Sequence, residues 1–215
     1  MIAFSGLDGA GKSTQIALIH ILFTDINKRS QVFWSRGGYT PGMSLIKLIL
    51  RKSGSNLIPL TAGHSKKRDE VFKNIYVKKI WLTLAIVDLF FCYAVLLRFK
   101  QFLGYKIICD RYIIDSEIDF ILNFPEENVD RWWIWRILKT LSFKPEHHFV
   151  LTIPVEESVR RSIVKNEPFP DSPQTLKIRL KKYMEFIQSK GYVHHIDGQK
   201  SVDEIAFEIK SILGL

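Results

Sequence analysis

Apolar residues come in short runs along this chain, and polar segments that contain glycine, proline or aspartate separate them. Short apolar runs bounded in this way are typical of buried strands. Between them, apolar positions recur every three or four residues, which is helical spacing. The strand-like runs are MIAFSG, SQVFWSRGG, YKIICD, HHFVLTIP and GYVHHIDG. Because strand and helix alternate, the pattern predicts an α/β fold with a parallel sheet covered on both faces. A ligand site is then expected at the carboxyl ends of the strands.

The same pattern places the helices and the loops. Helices are predicted from about Lys12, from Val155 and from about Gln174, and the last one is capped by Ser201 and Glu204. Segment 51–70 is polar, basic and glycine-containing, which predicts a mobile excursion. No repeat or low-complexity tract divides the chain, so residues 1–215 are predicted to form a single domain.

One apolar segment departs from this regular spacing. Residues 80–97 read IWLTLAIVDLFFCYAVLL and carry one charged side chain, Asp88. The length is at the lower edge of what a membrane span needs, and a carboxylate at the centre of a span is costly. Three interpretations of this segment are open: it is a buried core helix, it contacts a membrane surface or a partner, or it spans a membrane. The strands on either side favour the core helix.

The composition points to an anionic partner. The formal net charge is +9, and a basic surface suits a nucleotide, a nucleic acid or an acidic lipid headgroup. The two cysteines form no CxxC or Cys/His cluster, which argues against a disulfide framework and a zinc site. Met1 leads into a strand without a basic, cleavable leader, so a cytoplasmic protein is expected. Three clustered tryptophans, Trp132, Trp133 and Trp135, are predicted to pack in the core.

The strongest chemical signal is the segment GLDGAGKST at residues 6–14. It has the P-loop pattern, G-x-x-x-x-G-K-S, between a predicted strand and a predicted helix. Backbone N–H groups of such a loop surround phosphate oxygens, the lysine neutralises the β- and γ-phosphates, and the serine hydroxyl ligates Mg²⁺. The predicted ATP-binding residues are Gly6, Gly9, Ala10, Gly11, Lys12, Ser13 and Thr14.

Two further sets of residues complete a phosphoryl-transfer site. The strand YKIICD ends in Asp110, a carboxylate suited to Mg²⁺, and Arg111 offers a planar fork to phosphate oxygens. The P-loop itself carries no arginine, so a cation has to come from elsewhere. Arg160, Arg161 and Lys165 precede the proline-rich EPFPDSP, and we predict a lid over about 158–175 that brings them to ATP. A solvated basic helix face is the alternative.

GLDGAGKST followed by ICDRY resembles the thymidylate kinase family of P-loop nucleoside-monophosphate kinases. RGGYTPG and VEESVRR are similar to the family's segment after the second strand and to its lid helix. The resemblance implies a three-layer fold with a five-stranded parallel sheet and a small helical lid. It also implies MgATP as donor, a monophosphate acceptor and a homodimer. Nucleic acid is not needed to explain the charge.

The resemblance also suggests individual roles. Asp8 resembles the acidic residue that contacts the acceptor sugar, and Arg36 resembles the arginine that binds the acceptor phosphate. Asp110 and Arg111 resemble the Asp-Arg pair of the active site. Arg179 resembles a downstream arginine of the family.

The base-reading positions depart from the family pattern. The family's aromatic residue and base-binding arginine fall on Ala85 and Leu89, and only Asp88 is kept. The family's tyrosine-glutamine pair falls on Asp119 and Phe120. A divergent thymidylate kinase that uses Asp88 and Asp119 for its acceptor is therefore one hypothesis. A kinase of a sugar or glycan intermediate, and a nonenzymatic ATP-binding module whose partner face is residues 80–97, are the others.

Overall fold

A parallel sheet of five strands forms the centre of the protein in a computed structural model, which describes residues 1–35, 70–167, 170–189 and 191–215. The strands are β1 Ile2–Gly6, β2 Ser30–Trp34, β3 Lys106–Asp110, β4 His147–Thr152 and β5 Val193–Asp197. Their order in the sheet is β2-β3-β1-β4-β5, and every pairing is parallel. Each predicted strand is present. Arg36 and the predicted excursion, apart from its last residue Glu70, lie outside the described residues.

Helices connect the strands, and the described residues contain eight α-helices. The α-helices are α1 Lys12–Asp25, α2 Ile75–Phe90, α3 Leu97–Phe102, α4 Ile113–Asn123, α5 Trp133–Leu141, α6 Val155–Val164, α7 Pro173–Ser189 and α8 Val202–Leu213. A π-helix, Phe91–Leu96, continues α2 into α3, and two 3-10 turns, Pro125–Glu127 and Val129–Arg131, lie between α4 and α5. The predicted capping box at Ser201 and Glu204 opens α8.

Two hydrophobic cores lie on opposite faces of the sheet. Alternate residues of β1 belong to different cores: Phe4 packs with the core that includes α1, α7 and α8, and Ala3 packs with the core of α2 and α5. Successive strand residues point to opposite faces, so this split shows that helices cover both sides. The fold is therefore the three-layer α/β arrangement of P-loop kinases.

The long apolar segment forms one continuous helix from Ile75 to Phe102, with one buried and one exposed side. Leu82, Ile86, Leu89 and Tyr93 are fully buried against the sheet. By length and composition the helix could cross a membrane, but 44% of its most apolar window is packed inside the protein. The expectation of a core helix is thus right for one side only. The exposed side, here named the α2–α3 ridge, consists of Ile80, Leu84, Val87, Phe91, Val95 and Phe99.

The tryptophan-rich segment is split in the same way. Trp135 is fully buried, with its ring edge-on to Phe120. Trp133 is 72% exposed, so the prediction that it packs in the core is wrong. The physical reason is helical geometry, because Trp133 and Trp135 are two residues apart on α5 and face different directions.

Candidate active site

The P-loop joins β1 to α1, and its first glycine is fixed by the neighbouring strand. Gly6 has a φ angle of +135°, and a Cβ atom there would lie 1.9 Å from the carbonyl oxygen of Leu151 in β4. Only glycine accepts both this backbone conformation and this contact. The loop therefore leaves the sheet at its carboxyl edge and enters the N-terminus of α1, where backbone N–H groups favour anions.

Lys12 lies folded over the loop from which it comes. Its Nζ donates to the carbonyl oxygens of Gly6 and Leu7, at 2.9 and 2.7 Å, and the residue is only 7% exposed. Burial, followed by the positive charge of Arg111, lowers the pKa of Lys12 to about 8. The Asp8 carboxylate, 3.9 Å from Nζ, acts in the opposite direction. The ammonium is thus held at the phosphate-binding loop in a poorly solvated position.

Asp110 and Arg111 lie beside the P-loop because β3 pairs with β1. The register places Asp110 opposite Phe4, and the Arg111 N–H donates to the Phe4 carbonyl at 2.8 Å. The Arg111 guanidinium then reaches Asp8, with Nη2 2.5 Å from Oδ1. Burial raises the pKa of the Asp110 carboxyl, and the charges of Lys12 and Arg111 oppose this shift. The sheet therefore brings Lys12, Asp8, Asp110 and Arg111 into one cluster.

The donor set at this edge fits a magnesium ion better than a transition metal. Ser13 is exposed at the start of α1 and Asp110 is half-buried, so both present hard oxygen atoms. In the part of the chain that the structure describes, no group of three or more histidine, cysteine, aspartate or glutamate side chains could hold a metal ion alone. Mg²⁺ needs few protein ligands, since it takes most of its oxygens from phosphates and water.

Helix α6 packs directly on the P-loop. The Ser158 hydroxyl donates to the Asp8 carbonyl at 2.7 Å, and Arg161 Nη1 donates to the carbonyl oxygens of Gly9 and Gly198, at 2.9 and 3.2 Å. Arg161 Nε also donates to Glu157 at 2.6 Å. Of the three predicted lid cations, Arg161 therefore lies at the loop.

The other two predicted lid cations lie away from the loop. Arg160 is 65% exposed in its side chain and is paired with Glu157, while Lys165 is exposed at the end of α6. Arg160 and Arg161 both donate to the Glu157 carboxylate, and their hydrogen bonds lower its pKa to about 2.

A second buried ion-pair cluster adjoins the first. Asp119 of α4 is 2.7 Å from Arg179 Nη2, and Arg179 Nε donates to Asp171 at 2.5 Å. Arg179 is 4% exposed, and its Nη1 has no hydrogen-bond partner among the residues that the structure describes. Burial opposes the charged form of Arg111, but nearby groups, Asp8 foremost and Asp119 to a smaller extent, raise its pKa, so the two clusters interact electrostatically.

The other positions predicted to bind the acceptor do not belong to either of these ion-pair clusters in the described part of the chain. Ala85 and Leu89 are fully buried in the core beneath β3, and Asp88 is 9% exposed on the same helix. Arg36 lies outside the described residues.

Sequence reasoning missed a buried polar network below the P-loop. The Ser5 hydroxyl donates to Asp115, Ser5 Oγ lies 2.7 Å from His148 Nε2, and the Tyr183 hydroxyl donates to Asp115 at 2.8 Å. Burial lowers the pKa of His148 to about 4. The available signal was polar residues at strand positions that the alternation pattern assigns to the interior.

Comparison with known proteins gives a full-length similarity. No family model matches the chain. It is 26% identical over 226 residues to the thymidylate kinase of Thermosipho melanesiensis, covering 99% of this chain and 96% of that protein. It is 24% identical over 209 residues to a probable thymidylate kinase of Methanocaldococcus jannaschii, covering 97% and 92%. A probable thymidylate kinase of Sulfolobus acidocaldarius is 26% identical over 218 residues.

The sheet, the P-loop and the full-length similarity agree on the chemical class. The five parallel strands and the loop geometry are those of a P-loop kinase, and the similar proteins carry the names of such enzymes. The chain is an ATP-binding phosphotransferase of this class.

Proposed function

We propose that the protein is an ATP-dependent nucleoside-monophosphate kinase, with dTMP as the leading acceptor, which is converted to dTDP. One observation carries the proposal: Asp8 joins the donor and acceptor halves of the site. Its Oδ1 is 3.9 Å from Lys12 Nζ and 2.5 Å from Arg111 Nη2. This contact supports a phosphoryl donor bound beside an acceptor site that has its own cation. The thymidylate kinases similar to this chain support the choice of acceptor.

The donor half binds ATP through the P-loop. The backbone of Gly6, Gly9, Ala10 and Gly11 surrounds the phosphates, Lys12 moves from the Gly6 and Leu7 carbonyls to the β/γ-phosphates, and Thr14 lines the loop. Ser13 and Asp110 would hold Mg²⁺. When bound, the ion supplies charge neutralisation at the phosphate oxygens.

The transfer step needs cations on both sides of the moving phosphoryl group. Arg111 approaches from the acceptor side and Arg161 from the lid side. The lid, predicted over about 158–175, then closes over ATP and excludes water as a competing acceptor. Arg160 and Lys165, the other two predicted lid cations, are exposed and lie away from the loop, so we assign them a contact with the phosphates only if closure moves them there.

The acceptor half is assigned to Asp8, Arg36, Asp88 and Asp119. We propose that its base pocket differs from the thymidylate kinase pattern. Ala85 and Leu89 are core residues here, and Asp119 is paired with Arg179 rather than being an aromatic platform. Hydrogen-bonding groups on a base would then be read by carboxylates and their arginine partner. A kinase of a sugar intermediate would use the same carboxylates on hydroxyl groups, so the acceptor screen must include sugars.

We also propose that two copies associate through the α2–α3 ridge in the cytoplasm. The ridge presents a row of large apolar side chains that includes Phe91 at 57% and Phe99 at 58% exposure. Phe91→Asp should convert a dimer into a monomer in light scattering, and Trp133→Asp serves as a second probe on α5. Binding of the wild-type monomer to lipid vesicles would instead support a membrane-surface contact.

The deciding experiment is a steady-state screen with MgATP and dTMP, the other nucleoside monophosphates, and simple sugars. ADP formation that depends on dTMP, with dTDP as product, is the expected result. Lys12→Ala should abolish it, whereas Lys28→Ala, a lysine at the opposite end of the sheet, should leave it unchanged. Turnover with a sugar alone would refute the nucleotide acceptor, and ATP binding without any acceptor-dependent turnover would refute the kinase assignment.

A further inference from the structure

The buried carboxylate of Asp115 has no part in the site as proposed above, yet it lies directly behind Arg111. We propose that Asp115 is a positioning residue for phosphoryl transfer, which holds the Arg111 guanidinium in its reactive orientation, and that Ser5 and His148 hold Asp115. This inference rests on the proposed function, because it assigns Arg111 to the transferring phosphate.

Asp115 is fully buried and its two oxygens face different partners. Oδ2 accepts from the Ser5 hydroxyl and, at 2.9 Å, from the Tyr112 N–H. Oδ1 accepts from the Tyr183 hydroxyl at 2.8 Å and lies 3.7 Å from Arg111 Nη1. A buried carboxylate is stable only when its lone pairs are satisfied in this way. The oxygen that faces Arg111 is thus oriented by the bonds on the other side.

The guanidinium of Arg111 is held between two carboxylates. Nη2 is 2.5 Å from Asp8 and Nη1 is 3.7 Å from Asp115, so each terminal nitrogen has its own anion. Asp8 belongs to the P-loop and Asp115 to α4. With both in place, the planar fork cannot rotate about its long axis without losing one of them.

The backbone of Arg111 makes such support necessary. Its φ angle is +74°, in the left-handed region that residues with a Cβ avoid. Strained residues of this kind persist only where their surroundings hold them, and they cluster at functional sites. The Phe4 carbonyl fixes the Arg111 N–H, and Asp8 and Asp115 fix the other end of the residue.

Proton counting fixes the direction of the bonds behind Asp115. Ser5 has one hydroxyl proton, and it goes to Asp115. Ser5 Oγ can therefore only accept at its contact with His148, so Nε2 of the imidazole carries the proton and donates at 2.7 Å. A chain of donors thus runs from β4 through β1 to the carboxylate. Each link holds the Asp115 carboxylate in place as an acceptor.

A simpler role for Asp115 is to cap α4 through the Tyr112 N–H, and the test must separate the two roles. In Asp115→Asn the amide oxygen still accepts from Tyr112 and Ser5, so the cap is kept. The amide nitrogen replaces Oδ1 and turns a donor toward Arg111. A positioning role predicts a roughly 10- to 100-fold lower kcat with the KM for ATP changed less than about threefold.

A double-mutant cycle with Arg111→Ala provides the discriminating readout. We expect Asp115→Asn to lower kcat in the wild-type background and to have no further effect when Arg111 is alanine. Glu117→Gln, the same chemical change two residues away at a carboxylate paired with Lys139, is the matched control. An equal fall of kcat in both backgrounds, or no fall, would overturn the proposal.

A second readout does not depend on the acceptor. In ¹⁵N-labelled protein, the side-chain Nε–H resonance of Arg111, assigned by its loss in Arg111→Lys, should shift and broaden in Asp115→Asn and in Ser5→Ala. It should stay in place in Glu117→Gln. An unchanged resonance in both network variants refutes the positioning role. Absence of any turnover with nucleoside monophosphates refutes the proposed function instead, and this resonance is measured without substrate.

Discussion

The guanidinium of Arg161 donates to the carbonyl oxygen of Gly9, with Nη1 2.9 Å from the oxygen. A residue of α6 is thereby tied to the P-loop, 152 residues away along the chain. Its neighbour Arg160, which has the same charge and binds the same Glu157, points to solvent. Two adjacent arginines of equal chemistry therefore occupy very different positions relative to the P-loop.

This difference predicts unequal effects of two alanine substitutions. Arg161→Ala should lower kcat by about 100-fold or more, because it removes a preorganised donor beside the phosphates. Arg160→Ala should change kcat less than about threefold, since an exposed ion pair contributes little. Steady-state assays with MgATP and the accepted monophosphate make the comparison. Equal losses for the two variants would show that the lid rearranges to use both.

The contact with Arg161 also makes Gly9 sensitive to substitution. Gly9 has a φ angle of +78°, and a Cβ atom there would lie 2.9 Å from Cβ of Arg161. Gly9→Ala should therefore displace α6 and weaken ATP binding by about tenfold or more, in addition to the roughly 1–2 kcal/mol of left-handed strain. Titration calorimetry with ATP measures the first effect and thermal unfolding the second.

Gly104→Ala is the control for this prediction. Gly104 has a φ angle of +86°, and no atom of the described part of the chain lies within 4 Å of the position that its Cβ would take. The Gly104→Ala variant should lose thermal stability through left-handed backbone strain but keep the wild-type affinity for ATP. If ATP affinity falls equally in both variants, strain alone explains the effect and the contact with Arg161 is irrelevant to binding.

The parts of this site that depend on local sequence could be predicted, and those that depend on helix packing could not. The P-loop is defined by the spacing of Gly6, Gly11 and Lys12, and Asp110 by the end of an apolar strand. Whether Arg160 or Arg161 contacts the P-loop depends on how α6 is rotated about its own axis. The hydrogen bond from Ser158 to the P-loop fixes that rotation.

Contacts between residues far apart along the chain could not be predicted from the sequence either. Asp119 was expected at the acceptor, and its ion pair with Arg179 joins residues 60 positions apart. The Ser5–Asp115 bond spans 110 residues. Such partners are brought together by sheet order, and no spacing rule in a single sequence contains that information.

The lowered pKa of Lys12 predicts that ATP binding takes up a proton. Near pH 8.5 a lysine with a pKa of about 8 is mostly neutral, and the phosphates restore its charge on binding. The expected uptake is roughly 0.7 proton per ATP at pH 8.5, and affinity should fall as the pH rises above about 8. Calorimetry in two buffers of different ionisation enthalpy measures the proton count.

Lys12→Arg is the matched control for the proton count, because arginine stays charged throughout this range. The variant should bind ATP without taking up a proton at pH 8.5, even if its affinity is lower. A wild-type protein that binds ATP with no buffer dependence at this pH would show that Lys12 is already charged and that its burial is better compensated than its contacts indicate.

The buried imidazole of His148 predicts a loss of stability in mild acid. Its pKa is lowered from 6.5 to about 4 by burial, with Asp115 opposing the shift. Between these two values the unfolded chain binds a proton at this residue and the folded protein does not. Lowering the pH from about 6.5 to about 4 therefore favours unfolding, by on the order of 3 kcal/mol, and below pH 4 this contribution adds no further slope.

Urea unfolding at a series of pH values measures this contribution. His148→Gln should be less stable than the wild type at pH 7, because it loses the Ser5 bond and the ring contact with Phe186, but its stability should fall less between pH 6.5 and 4. His195→Gln, at an exposed position of β5, should retain the wild-type slope. If His148→Gln keeps the full acid slope, burial does not lower the pKa of His148, and the imidazole is already charged in the folded protein in mild acid.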